Sequence, residues 1–218
     1  GIRDSSVTEF RRVLFRSVCG AYRSYTRGVW GNATASYAGA YLNAKFAGAY
    51  PNGLTIGTCG SFIKLTSANN VRLFLPSGGT VRKLNNGTLV NPTGAQYGNT
   101  FAANLVALNL NLTFDLYDPN FSVSGIPLKD AIIMTGPFVG WTVQRLYNEA
   151  NTAIGCGGPR NYLTDLNYAL ERVNDSWLDG VQRNNYIACP STSIARITQE
   201  TGSSLLGRPS AFPNPRSE

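Results

Sequence analysis

Cys19, Cys59, Cys156 and Cys189 have the most distinctive chemistry in this 218-residue chain. They are widely spaced and never form C-x-x-C, the close pair that a four-cysteine zinc site usually shows, so two disulfides are the expected outcome and an oxidising compartment its corollary. Four buried free thiols are the alternative. Histidine is absent altogether, which removes Ser-His-Asp and Cys-His nucleophile systems and every His-liganded metal. Catalysis would have to come from carboxylates, lysine or tyrosine.

Three further groups invite a chemical reading. Asp115, Asp118 and Asn120 form an oxygen-rich D-x-x-D-P-N; it lacks the spacing of the twelve-residue calcium loop. Asp and Asn beside Pro cap turns on their own account, so turn capping is the expectation and Ca²⁺ the minor alternative, with no other cofactor or metal expected. Asp175 and Asp179, four apart on a presumed last helix, could be a carboxylate pair. A glycosidase needs two carboxyls facing each other across a sugar, however, and two on one exposed helical face are usually just solvated. Tyr22, Tyr25, Trp30, Tyr37 and Tyr41 could stack on sugar rings or pack a core beneath the neighbouring glycines.

Charge narrows the field. The formal net charge of +7 divides as +2 over residues 1 to 17, +4 over 18 to 190 and +1 over the last 28. In the middle segment the cations sit singly except at Arg82-Lys83, without the convergence on phosphates that nucleic-acid binding requires. Charged residues make up only 14% and hydrophobic residues 43%, enough for a core under a polar, uncharged surface. No apolar run approaches the length of about 18 residues that suggests a membrane span.

The elements that must hold these residues follow from periodicity. Tyr37 to Phe46 reads as a short helix, 54 to 66 as a hairpin around Gly57 and Gly60, and the stretch after Thr66 or Ser67 as a capped helix ending at Pro76. Residues 77 to 98 read as a loop. Phe101, Leu105, Leu108 and Leu112 recur at helical spacing, while VALNLNLTF also alternates as a strand would; helix over 100 to 114 is the stronger reading. LKDAIIM (128 to 134) suggests a short strand. Thr142 caps a helix stopped by Gly155, and Thr164 opens a last helix with Leu166, Leu170, Val173 and Trp177 inward and Gly180 past its end. The expectation is an α-dominant α+β domain: three to four packed helices, a small β-hairpin, stabilised by disulfides.

Four cysteines allow three pairings. A helix from 164 to 180 rises roughly 24 Å, and an extended 181 to 189 can return about that far. This points to Cys156 with Cys189, leaving Cys19 for Cys59.

The two ends differ in composition from the body at 18 to 190. Residues 191 to 209 read as a Ser/Gly-rich linker. From 210 to 218 the chain resembles the opening of the C-terminal sorting domain of the bacterial type IX secretion system, through Phe212, Pro213, Asn214 and Pro215. Arg216 stands where that family usually has Phe and the sequence stops at Glu218, so the expectation is the start of a truncated sorting domain. Residues 1 to 17 resemble the translation of a sequencing adapter, and Arg216-Ser217-Glu218 the start of the opposite adapter, so both are set aside from the domain. The other reading of the N-terminus is a basic amphipathic helix with Val13, Leu14 and Phe15 on its apolar side.

The body resembles an uncharacterised domain of large secreted Bacteroidota proteins. The likeness runs through Tyr25-Thr-Arg-Gly-Val-Trp-Gly31, Pro51-Asn-Gly-Leu-Thr-Ile-Gly57, Phe74-Leu-Pro-Ser-Gly-Gly-Thr80, Leu116-Tyr-Asp-Pro-Asn-Phe121, Gly136-Pro-Phe-Val-Gly-Trp-Thr-Val143 and 166 to 180. Family members more often carry Gln where Arg27 stands. The resemblance implies a secreted or cell-surface setting and no particular activity. The expectation is therefore a non-catalytic module for adhesion, matrix or carbohydrate contact, or structural spacing. Its partners would be an extracellular glycan or matrix and the secretion machinery, with no nucleic acid and no transmembrane segment. A carboxylate-dependent glycan hydrolase domain is the alternative.

Overall fold

The computed structural model describes residues 19 to 32 and 36 to 190. The expectations placed on residues 1 to 17, on the 191 to 209 linker and on Phe212, Pro213, Asn214 and Pro215 lie outside them.

The helix over Thr100–Tyr117, α4, is the axis of the fold. Asn99 starts it, its side-chain oxygen accepting from the N–H groups of Phe101 and Ala102 at 3.1 and 3.3 Å. Twelve of its 18 residues are buried, including Ala103, Val106 and Leu110 off the predicted apolar line. Burial on every side makes a core helix rather than an amphipathic surface one, and it settles the helix-or-strand ambiguity of VALNLNLTF. Around it pack α1 (Arg27–Trp30), α2 (Tyr37–Ala49), α5 (Val143–Cys156) and α6 (Arg160–Asn174), while α3 (Ala68–Phe74) packs on α2. The caps foreseen at Ser67 and Thr142 are present: Ser67 accepts from Asn70 N–H and Thr142 from Arg145 N–H.

The predicted hairpin is β1 (Leu54–Thr58) and β2 (Ser61–Leu65), antiparallel with Thr58 opposite Ser61. Its two-residue turn, Cys59-Gly60, has positive φ at both positions (51° and 74°), the backbone that matches the strands' right-handed twist. A third strand, β3 (Gly87–Val90), pairs parallel to β2, inside the stretch expected to be loop. Only Leu89 of its four residues is even partly buried, so no alternating pattern marked it.

The segment 128 to 134 is a 3-10 turn at Leu128–Asp130 followed by β4 (Ile132–Ile133), which pairs with β7 (Ile187–Ala188). The last helix departs from its predicted bounds. It runs Arg160–Asn174, and β5 (Trp177–Leu178) and β6 (Val181–Gln182) then form a tight hairpin. Asp179-Gly180 is its turn, again positive in φ at 53° and 79°. Asp-Gly is a strong signal for such a hairpin, whereas the helical spacing of Trp177 carries the expected helix as far as Gly180. Asp175 caps α6 while Asp179 sits in the turn, so the two aspartates are not a helical i, i+4 pair.

The cysteines stand as two pairs at disulfide distance, but not the predicted pairs. Cys19 meets Cys189 with Cα atoms 6.1 Å apart, and Cys59 meets Cys156 at 5.1 Å. The physical reason lies in β7. Its partner β4 is bridged to Thr142 at the start of α5, and Cys156 is at the other end of this 14-residue helix, about 20 Å away. Cys156 instead reaches the β1–β2 turn, because α5 packs along β1: Asn151 accepts from Gly57 N–H at 2.7 Å.

Candidate functional site

A cleft of about 670 Å³ opens between α1 and the C-terminal half of α6. Tyr168, Glu171, Arg172 and Asp175 line one wall. Their i, i+3, i+4, i+7 spacing puts them on one helical stripe, opposite the apolar stripe of Leu166, Leu170 and Val173. Asp175 continues the stripe past the helix end because its backbone stays right-handed helical (φ −92°, ψ 0°). Thr26, Arg27, Gly28 and Pro76 form the facing wall. Arg27 is braced there by a 2.6 Å hydrogen bond from its guanidinium to the Ser77 carbonyl.

The floor is Asn104 and Asn174, two members of a buried amide network. Asn174 donates to the Asn104 carbonyl at 2.9 Å, and Asn104 donates to Asn167 at 3.0 Å. Asn111 binds Asn174 at 2.9 Å and also holds the N-terminal segment: it accepts from Tyr25 N–H and Trp30 Nε1–H and donates to the Tyr25 carbonyl. Every polar group that Asn111 offers is thus paired in the core, which fixes α1 and the facing wall against α4 and α6.

The charged groups on the α6 wall are uncommitted. Among the described residues, Glu171, Asp175 and Arg172 make no side-chain hydrogen bond or ion pair, and Arg172 Nε is buried without a partner. Tyr168 is 49% exposed and its ring meets the buried Tyr186 edge-on at 6.1 Å. Burial pushes the Tyr186 hydroxyl up to about 12, with Tyr168 adding to the rise and Arg172 opposing it, so it remains a neutral donor behind the wall. The lining therefore offers donors and acceptors of both signs beside an aromatic face. That suits a polar, uncharged or zwitterionic ligand; a polyanion would meet Glu171 and Asp175. Both carboxylates lie on the α6 wall and, among the described residues, none lines the wall that faces them, whereas glycoside hydrolysis uses carboxyls on either side of the scissile bond.

The residues singled out in the sequence fall elsewhere. Tyr22, Tyr25 and Trp30 are core residues at 1%, 0% and 0% exposure, and Tyr41 is half-buried against Phe114 and Phe121. Only Tyr37 is exposed, with Arg23 stacked over its ring. These aromatics pack the core, and the sugar-stacking reading does not hold for them as a group.

Asp115 and Asn120 border the second cleft, of about 510 Å³. Asp115 accepts from the Ser122 hydroxyl at 2.5 Å and Leu128 N–H at 2.7 Å; Asp118 accepts from Asn120 N–H, the Tyr41 hydroxyl and Lys45. These carboxylates cap turns and join elements. No group of three or more His, Cys, Asp or Glu able to hold a metal occurs among the described residues.

Sequence reading missed Arg27, Asn104, Tyr168, Glu171, Arg172 and Asn174. The polar stripe on α6 was available as a signal; what it faces was not. Fold and cleft together define a disulfide-stapled α+β domain with an open, mixed-charge groove. No family model, curated protein or solved structure matches the chain.

Proposed function

We propose that this chain is a non-catalytic binding module of a secreted or cell-surface bacterial protein, with the α1–α6 cleft contacting an extracellular glycan or matrix polymer. The observation that carries the reading is the set of uncommitted Glu171, Arg172 and Asp175 side chains beside half-exposed Tyr168, on walls joined by the buried Asn104–Asn174–Asn111 amide network. Flat aromatic faces suit pyranose rings, and free polar groups of both kinds suit hydroxyls. Two paired disulfides are compatible with an oxidising, extracellular setting, and among the described residues no helix is long and apolar enough to cross a membrane. The sorting-domain resemblance of Phe212, Pro213, Asn214 and Pro215 adds type IX export to the proposal.

The test is a glycan array followed by calorimetric titration of the best ligand. Tyr168→Ala and Arg172→Ala should each weaken binding by about tenfold, roughly 1.4 kcal/mol, with no reducing ends released. A clean array, or binding that ignores both substitutions, would sink the proposal. Release of sugar that Glu171→Gln abolishes would instead establish the second reading, a carboxylate-dependent glycan hydrolase.

A further inference from the structure

The two cysteine pairs sit in contrasting surroundings. Cys19 and Cys189 are both partly buried against the core, and the hydroxyl of Tyr22, itself 1% exposed, lies 3.7 and 3.6 Å from their sulfurs. Cys59 and Cys156 are both exposed. Their sulfurs lie where the β1–β2 turn meets the end of α5, and the Thr58 hydroxyl is 3.4 Å from Cys156 Sγ. Lys83 lies against Gly157, the residue after Cys156, placing a cation in the same neighbourhood.

We propose that Cys59–Cys156 is a thiol-exchange site, opened by small dithiols in the folded protein while Cys19–Cys189 stays closed. Exchange requires a thiolate to approach a disulfide sulfur, so access governs its rate and nearby positive charge assists it. In the first step a reductant thiolate attacks one sulfur, the Cys59–Cys156 bond breaks, and the other cysteine leaves as a thiolate. The reductant's second thiol then attacks its own sulfur in the mixed disulfide, closes a ring and releases the second cysteine. Two electrons and two protons pass to the protein, and the dithiol becomes a cyclic disulfide.

The body tolerates this opening because the contact beneath the bridge does not rest on sulfur. Asn151 accepts from Gly57 N–H at 2.7 Å, and the Thr58 hydroxyl donates to the Thr152 carbonyl at 3.2 Å. Reduction therefore frees the hairpin tip and the last turn of α5, on α5's far side from the Cys19–Cys189 staple.

The full chain would be treated with graded dithiothreitol without denaturant, quenched with iodoacetamide and mapped by peptide mass spectrometry. Cys59 and Cys156 should be alkylated at least about tenfold faster than Cys19 and Cys189, and a Cys59→Ser/Cys156→Ser variant should lose the fast phase alone. A smaller ratio, the reverse order, or a fast phase that survives the double substitution would overturn the proposal. The mapping of the native chain decides the matter even if the variant does not fold.

Discussion

Replacing Asn111 tests whether the buried amide network holds the molecule together. Asn111 is fully buried and makes four hydrogen bonds of 2.9 to 3.1 Å. Asn111→Ala leaves Tyr25 N–H, the Tyr25 carbonyl, Trp30 Nε1–H and Asn174 Oδ1 without that partner in the core. Each orphaned group costs about 1 to 3 kcal/mol; with partial relaxation, about 4 kcal/mol in total is expected. Against a typical stability of roughly 5 to 15 kcal/mol that is a severe loss. At about 2 to 4 °C per kcal/mol for a domain of this size, Tm should fall by roughly 8 to 16 °C.

The assay is urea unfolding followed by tryptophan fluorescence under oxidising conditions, with exposed Asn161→Ala as control, expected within about 0.5 kcal/mol of the native chain. Asn111→Leu separates pairing from packing. It refills most of the volume but restores no hydrogen bond, so it should remain nearly as destabilised as the alanine variant. A loss below about 1 kcal/mol for alanine, or recovery of most of the loss by leucine, would refute the reasoning.

Two further expectations concern other parts of the fold. A methyl group at Gly155 would overlap the backbone N and O of Thr58, so Gly155→Ala should push α5 off β1 and lower stability by about 2 kcal/mol or more; an unchanged urea midpoint would show that this approach is not tight. The acid side of the stability curve should divide between two aspartates. Burial pushes Asp118 up, but hydrogen bonds from Asn120 N–H, Tyr41 and Lys45, with the Lys45 charge, outweigh it and hold the carboxyl below its ordinary value. Its contribution is present above the unfolded value of about 4 and is lost as pH falls through the folded one. Burial raises Asp115, the Ser122 and Leu128 hydrogen bonds offsetting only part of the rise; its contribution is present at low pH and lost as pH rises through its folded value. Asp118→Asn should flatten the loss of stability below about pH 4, whereas Asp115→Asn should gain on the native chain as pH rises above about 4. Urea titrations at three pH values giving both variants the native slope would contradict this.

Local signals carried the helices. Ser67 and Thr142 announced their helix starts because a capping oxygen lies within three residues of the N–H it serves, and the apolar spacing of α4 announced the axis. Where an element's partner lay far off in the chain, the signal failed. β3 owes its existence to a parallel neighbour more than twenty residues away, and α6 ended early because Asp179-Gly180 could turn a hairpin and seat Ser24 beside Leu178. Cys156 and Cys189 were matched through a helix taken to be six residues too long at its end.

Sequence alone determined the chemistry on offer: no histidine, four cysteines able to make two bridges, a sparse charge, and enough apolar residues at helical spacing for an α-dominant core. Tertiary structure decided which of those groups meet. Whether Asn104 and Asn111 are surface amides or a buried network depends on Tyr25, Trp30 and Asn174 arriving from distant segments. Whether Tyr168, Glu171, Arg172 and Asp175 are a solvated stripe or one wall of a cleft depends on α1 standing across from them. A hydrogen bond or a ligand contact is fixed by distances of a few ångströms between residues up to 167 positions apart, and no periodicity along the chain encodes that distance.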